Sequence, residues 1–318
     1  MTTIHEEIKL NKVVNCSGKM TYLGSSLLAP EILTAMREAA GAYVHMDELN
    51  EKAGAFIAKA CGAEDACVTA GAAAAIAIAV AACVTMGDPL LVEQVPNPKT
   101  RKRKVLIQKG HSISFGASLL QMIALGGGVP EEVGMVNKCL PYHMENAIDE
   151  DSAAIIFVKS HHAVQTDLLT FEDVLRIAGK HQVPVIVDAA AEENLTRYYK
   201  SGADMVLYSG AKAVGGPTSG FIVGSGKYIA LCKKQNKGIA RAMKVGKENI
   251  LGLVKALQLY GRADNTEENR LEDQLRRVDA IVDGLKNIDG LTVTRAKDVS
   301  GREIYRARLA VDTSRLGI

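Results

Sequence analysis

The chain has 318 residues, with 38 Lys plus Arg against 36 Asp plus Glu and a formal net charge of +2. That near-balance argues against a dedicated nucleic-acid binder, which presents a strongly basic face. Hydrophobic residues at 47% and charged residues at 23% exclude a disordered chain, and aromatics at 4%, with no Trp, exclude an aromatic-rich RNA platform.

At roughly 150 residues per domain, the length allows two domains or one large α/β unit. A chain of this size buries about three-quarters of its unfolded surface without a disulfide or metal staple. The six cysteines, at 16, 61, 67, 83, 139 and 232, contain no CxxC pair and read as small buried residues in a reducing compartment. The opening MTTIHEEIKL holds no long apolar stretch, so no signal peptide is expected. The longest apolar run, 72–85, is too short to span a bilayer. These features predict a soluble cytoplasmic protein.

In chain order, residues 1–45 form a mixed N-terminal arm with turn-rich Asn15-Cys16-Ser17-Gly18 and Leu23-Gly24-Ser25-Ser26. Pro30 opens a helical pattern at a favourable first-turn position. A second amphipathic helix is predicted from about Asp47 to Ala60, with Asp47 as N-cap. From residue 64 short apolar strands alternate with helices. Strands are predicted over 66–69, 104–108, 154–158, 183–187, 205–208 and 220–224. Helices are predicted over 72–84, 114–125 and 170–181, the last capped by Thr170. This alternation indicates a parallel sheet covered on both faces. Residues 46–245 are thus expected to form one large domain. Beyond about Gly246, long helices over 248–260 and 268–287 and strand-like runs over 291–295 and 304–311 suggest a smaller α+β domain, 246–318. The sequence stops at Leu316-Gly317-Ile318, where a covering helix is expected next, so this domain is expected to be incomplete.

In open α/β sheets, ligands bind beyond the carboxyl ends of the strands. The residues there are Ala70-Gly71-Ala72-Ala73, His111, Ser160-His161-His162, Asp188 and Ser209-Gly210-Ala211-Lys212. The first group exposes backbone N–H groups at a helix start, which suits a phosphate or simply close helix–strand packing. It lacks the GKS/T of a P-loop and the GxGxxG of a dinucleotide site. Asp188 directly follows an apolar strand and can pair with a protonated ring nitrogen or cap the next segment; no second metal ligand is evident, so no metal is expected. Lys212 sits among Ser, Gly and Ala, either as a surface loop lysine or as a buried amine that attacks an aldehyde. One cofactor, pyridoxal 5′-phosphate (PLP), needs a lysine, a carboxylate for its pyridine nitrogen, a phosphate cup and a group packed on its ring.

With these residues in place, the chain resembles the fold-type I PLP-dependent enzymes, and within them the selenocysteine synthase-like group. The stretches that carry the resemblance are NCSGKMTYLGSSLLAPEILTAM, DELNEKAGAFIAKACGAEDACVTAGAAAAI, LIQKGHSISFGAS, VPVIVDAAAEENL, DMVLYSGAKAVGGPTSGFIVG and RAMKVGKENILGL, which span most of residues 10–260. Within that group the chain resembles the D-glucosaminate-6-phosphate ammonia-lyase branch. The resemblance implies an aspartate aminotransferase-like α/β large domain, mostly parallel, plus a smaller C-terminal domain. It also implies that Lys212 carries the cofactor and acts as acid and base at the substrate's Cα. Asp188 would meet the pyridine nitrogen. Ala70, Gly71, Ala72 and Ala73 would hold the phosphate with help from Ser209. His111 would stack on the ring or serve as a core histidine. His161, His162 and Gln165 would reach cofactor or substrate.

Asn15, Thr21 and Gly24 of the arm are candidate substrate contacts. So are Arg241 and Lys244, which with Lys247 form one basic cluster; 99–104 form another. Either cluster is a solvated face or a site for a phosphorylated substrate or the partner subunit's cofactor phosphate. Related enzymes hold the substrate carboxylate with a C-terminal arginine, but none of Arg302, Arg306, Arg308 and Arg315 is assignable to it. The expected reaction is elimination and deamination of a phosphorylated 2-amino sugar acid, giving ammonia and a 2-keto-3-deoxy sugar acid phosphate, in a homodimer or an assembly of dimers. Two other readings stand beside it. Seryl-tRNA selenium transfer is opposed by the near-neutral charge. A degenerate PLP-fold binding module is favoured by the early end and opposed by Lys212 and Asp188.

Overall fold

The computed structural model describes residues 2–262, 265–297 and 304–316; Arg302 and the terminal Gly317 and Ile318 lie outside the described residues. A seven-stranded sheet forms the centre. Its strands are β1 (Asp65–Thr69), β2 (Lys104–Gln108), β3 (Val129–Val133), β4 (Ser152–Val158), β5 (Val185–Asp188), β6 (Met205–Ser209) and β7 (Gly220–Gly224), in the order β1-β7-β6-β5-β4-β2-β3. From β3 to β6 every pairing is parallel. β7 enters antiparallel between β6 and β1, so β1 again runs the same way as β6. The carboxyl ends of β1, β2, β4, β5 and β6 therefore share one edge.

The helices lie at α1 (Ile4–Glu7), α2 (Pro30–Ala40), α3 (Met46–Cys61), α4 (Ala72–Thr85), α5 (Pro89–Gln94), α6 (Leu119–Leu125), α7 (Pro141–Ala147), α8 (Phe171–His181), α9 (Arg197–Lys200), α10 (Gly226–Lys234), α11 (Lys247–Tyr260), α12 (Glu267–Leu285) and α13 (Thr313–Leu316). Strand side chains alternate between faces, and the core divides accordingly. Val105, Ile107, Ile156, Ile186, Leu207 and Ile222 pack with α4, α6 and α10 on one face. Leu106, Ile155, Val187, Val206, Tyr208 and Phe221 pack with α3, α8 and α11 on the other. The Ala-rich α4 is buried all round from Ala75 to Thr85, as a helix lying flat on a sheet requires small side chains.

Two local expectations are corrected, and one strand is added. Helix α3 starts at Met46, after His45, and no side chain caps it; Asp47 instead sits in the first turn, where its charge favours the helix dipole. The helix expected from 114 starts at Leu119, because Gly116 takes φ 105° and Ser114 bridges to Ser118. Strand β3, VPEEV, is an addition. Its charges and Pro130 suit the sheet edge it occupies, where one side of the ladder stays open.

β8 (Leu291–Lys297) and β9 (Tyr305–Val311) form a separate antiparallel pair, packed against α12. This unit joins the main body near Asp188. Tyr260 donates its hydroxyl to the Glu193 carbonyl at 2.7 Å. Arg270 lies over the Tyr260 ring and pairs with the Glu193 carboxylate at 3.4 Å.

Candidate active site

Residues two apart on a strand face the same way. Asp188 follows Ile186, and Ser209 follows Leu207, so both polar side chains lie on the face covered by α4, at the carboxyl edge. Asp188 is 6% exposed and accepts a hydrogen bond from the Ala190 N–H at 3.1 Å. Burial pushes its carboxyl above the usual range. The Ala190 N–H and then the charge of Lys212 oppose that rise. The two groups that the sequence singled out for cofactor chemistry are thus electrostatic neighbours.

Lys212 follows β6 on a half-buried loop. Two backbone bonds pin the loop at its neck: Gly210 N–H to Ser219 O at 2.9 Å and Gly216 N–H to Gly210 O at 2.7 Å. The small residues that flank Lys212 in sequence are what allow this fold-back. A Cβ on Gly210 would meet Ser219 Oγ at 2.3 Å, and one on Gly216 would meet Gly210 O at 2.9 Å.

The Ala70–Ala73 turn delivers the start of α4 to the same edge, with Thr69, Ser209 and Gly220 level across the sheet. No side chain caps α4, and no atom lies within 4 Å of where a Gly71 Cβ would stand. The first N–H groups of a helix need a partner, and an anion supplies one. Gly220 makes the close approach possible: a Cβ there would meet Gly71 C at 2.6 Å and Ala72 N at 2.9 Å.

His111 ends the 3-10 turn that follows β2 at the same edge and is 2% exposed. Its Nδ1 accepts from the Val158 N–H at 3.2 Å, which leaves the ring proton on Nε2. Burial, aided by the charge of Lys159, pulls its pKa down to about 4, so the ring is neutral at pH 7. Phe157 meets it edge-on at 4.9 Å between ring centroids. The next residue, Ser112, has a buried hydroxyl without a hydrogen-bond partner among the described residues.

The remaining candidates are placed less centrally. Gln165 braces its own turn: its amide donates to the carbonyls of Ser160, Ala163 and Val164, and its Oε1 accepts from Lys159 at 3.0 Å. His162 is exposed and lies against His161, 3.8 Å between centroids. Asn15 forms a turn with Ser17 and Gly18, Thr21 opens a 3-10 turn, and Gly24 ends it at φ 84°. Arg241 and Lys244 are exposed on the segment between α10 and α11, and no described bond links them to Asp188 or Lys212. In the 99–104 cluster, Arg101 pairs with Glu150 and Asp151, and Lys104 with Asp149 and Glu131, which accounts for those two charges within the fold. Arg306, Arg308 and Arg315 stand on β9 and α13, away from the large sheet.

Four residues at this edge escaped sequence reasoning. Lys19 and Ser26 of the arm bond the Lys212 loop, although only the surrounding stretch drew notice. Lys159 is a second cation beside His111, and Gly220 gains meaning only through its pairing with Thr69.

A family model described as L-seryl-tRNA selenium transferase (SelA) matches residues 13–288. The chain belongs to this family. Within it, the chain is 44% identical over 315 residues to a D-glucosaminate-6-phosphate ammonia lyase of Salmonella typhimurium, covering 99% of this chain and 84% of that protein. It is 46% identical over 318 residues to a 5′-C-glycyluridine monooxygenase-decarboxylase of a Streptomyces species, covering 99% and 79%. An L-seryl-tRNA(Sec) selenium transferase of Alkaliphilus metalliredigens is 28% identical, with 60% of its length covered. A solved structure of D-glucosaminate-6-phosphate ammonia-lyase superposes with a TM-score of 0.90 over all of this chain and 84% of that one, at 44% identity. An apo cysteine desulfurase from Thermococcus onnurineus shares the fold at a TM-score of 0.54 and 14% identity, over 85% and 72% of the two chains.

This SelA-family chain has the fold-type I architecture of PLP-dependent enzymes, and PLP is its cofactor. The residues present fit that group: a buried carboxylate beside an amine, an uncapped helix start with open space at Gly71, and a buried hydroxyl at Ser112 that awaits a partner.

Proposed function

We propose that the chain is a PLP-dependent carbon–nitrogen lyase. Its substrate is a phosphorylated 2-amino sugar acid such as D-glucosaminate 6-phosphate; its products are ammonia and a 2-keto-3-deoxy sugar acid phosphate. The observation that carries this reading is the 44% identity to the Salmonella ammonia lyase across 99% of the chain, the whole candidate site included. When bound, PLP supplies a cationic ring that stabilises negative charge developing at the substrate's Cα. The protein does the rest. Asp188 holds the proton on the ring nitrogen, and the N–H groups at the start of α4, with Ser209, hold the phosphate. Neutral His111 packs on the ring. The ε-amine of Lys212 removes the Cα proton and, as the ammonium, protonates the departing β-hydroxyl. The dehydrated product tautomerises, and its hydrolysis releases ammonia.

The substrate-facing roles of Asn15, Thr21, Gly24, His162, Gln165, Arg241 and Lys244 belong to the same proposal. So do a homo-oligomeric state and a cytoplasmic location. The side chains of Leu27 and Tyr43, fully exposed in the single chain, support assembly. Among the described residues, no helix is long and apolar enough to cross a membrane.

One observation favours a second reading: the 46% identity to the Streptomyces monooxygenase-decarboxylase. Loss of a carboxylate needs no base at Cα, and oxygen insertion consumes O2, so the two chemistries separate in one assay. The PLP-loaded protein is incubated with D-glucosaminate 6-phosphate, with and without O2, and ammonia, keto acid and CO2 are measured. Equal ammonia and keto acid at a rate indifferent to O2 is the expected result. Release of CO2 that requires O2, from this substrate or from a glycyl nucleoside, would replace the lyase reading with the second one.

A further inference from the structure

The backbone that carries Lys212 is gripped from outside the large sheet. Lys19 of the N-terminal arm donates from Nζ to the Lys212 carbonyl at 2.6 Å and to the Ala213 carbonyl at 3.3 Å. Ser26 donates from Oγ to the Ala211 carbonyl at 2.9 Å. Three successive carbonyls centred on the nucleophile thus accept from arm residues almost two hundred positions away. Within the loop, the Lys212 N–H reaches Ser209 O at 3.4 Å, and Gly215 N–H shares the Lys212 carbonyl at 3.1 Å. The arm is shaped for the reach. Asn15 closes a turn onto Ser17 and Gly18, and Gly18 takes φ 83°; the exposed Lys19 follows directly and reaches the Lys212 loop across the surface.

We propose that Lys19 is a positioning residue for Lys212, acting through the carbonyls of 212 and 213 and seconded by Ser26. This rests on the reading of Lys212 as the cofactor-bearing lysine. The reason is geometric: the peptide planes on either side of the Lys212 Cα, 211–212 held by Ser26 and 212–213 held by Lys19, set the direction of the Lys212 Cα–Cβ bond, and an amine displaced by about 1 Å from its reacting partner loses on the order of 10²-fold in rate. A charged donor is suited to this, since a bond from an ammonium to a carbonyl is stronger than a neutral one. The surroundings work partly against that charge. Loss of hydration at its Nζ lowers the Lys19 pKa, Glu193 opposes the fall, and Arg270 and Arg277 add to it. The grip therefore sits where the loop after Asp188 meets the C-terminal unit.

The test uses the full-length PLP-loaded protein as parent, Lys19→Met, Lys19→Arg and Ser26→Ala. Two quantities are read: the rate at which borohydride fixes the cofactor on Lys212, with the position and pH midpoint of the visible absorption band, and kcat separately from KM. The expected result for Lys19→Met is slower fixation, a shifted band midpoint and a kcat lower by about 10-fold or more, with KM within about 2-fold. Lys19→Arg, which keeps a cationic donor of similar reach, recovers most of the loss, and Ser26→Ala shows a smaller effect of the same kind. If Lys19→Met leaves fixation, band and kcat as in the parent, or raises KM alone, the positioning role is wrong. If Lys19→Met does not fold, Lys19→Arg and Ser26→Ala decide by the same readouts. A parent protein that is never fixed on Lys212 is a separate outcome, and it overturns the underlying reading of Lys212 instead.

Discussion

Asp188 and Lys212 hold opposite sides of one electrostatic balance: burial drives the Asp188 carboxyl towards its neutral form, and the charge of Lys212 pulls it back. The two residues leave adjacent parallel strands at the same edge, so the pairing follows from the sheet itself. Asp188 alone would be a poorly solvated charge; with Lys212 it makes a site that can hold a protonated ring nitrogen beside a reactive amine.

Asp188→Asn is expected to lower kcat by about 10²–10³-fold, the cost of removing one preorganised electrostatic partner, while borohydride still fixes the cofactor on Lys212. The cofactor-free protein responds in the opposite sense. A carboxyl whose folded pKa is raised contributes most below its unfolded pKa and loses that contribution as pH rises through the folded value. Asp188→Asn therefore raises the Tm of the cofactor-free protein at pH 7. A lower Tm there would contradict the direction of the shift.

His111 gives a stability slope of the other sign. Its pKa falls from 6.5 to about 4 on folding. Between those values the unfolded chain binds more protons, so stability rises with pH across this window and is lost as pH falls through it. The full span amounts to about 3 kcal/mol. Urea unfolding of cofactor-free protein from pH 4 to 7 measures it, and His111→Gln should flatten the slope. An unchanged slope in the variant would assign the acid sensitivity elsewhere.

Gly71, which precedes α4, and Gly220 of β7, which packs against it, are predicted to respond differently to one methyl group. Gly220→Ala drives a Cβ into the backbone of Gly71 and Ala72, neither of which can step aside cheaply. A loss of roughly 1–3 kcal/mol is expected, with weaker PLP binding. Gly71→Ala meets open space and an extended backbone, φ 165°. It should fold normally and weaken only the binding of PLP or its phosphate, measured by titration. Equal stability losses in the two variants would remove the argument for a phosphate cradle here.

Much of this site was legible before the fold. Asp188, Lys212 and the Ala70–Ala73 turn each follow an apolar run, and the rule that ligands gather at strand carboxyl ends brings them together. Their common face also follows from strand alternation. The antiparallel insertion of β7 was not legible, because GFIVG has the same apolar pattern in either direction. Nor was β3, whose Pro130 and two glutamates read as a loop until an edge position excuses them. Gln165 shows the limit for side chains: its amide suits a ligand, yet every described bond it makes is to its own turn. Lys19 shows the converse, since nothing in the local sequence points to a carbonyl 193 positions away.

The most direct measurement is borohydride reduction of the PLP-loaded protein followed by peptide mapping by mass spectrometry. The expected result is a single pyridoxyl group on the peptide holding Lys212, absent from Lys212→Ala. A pyridoxyl group on another lysine, or a PLP-treated protein that gains neither a visible band nor a reduced adduct, would contradict the assignment of Lys212 and the lyase chemistry built on it.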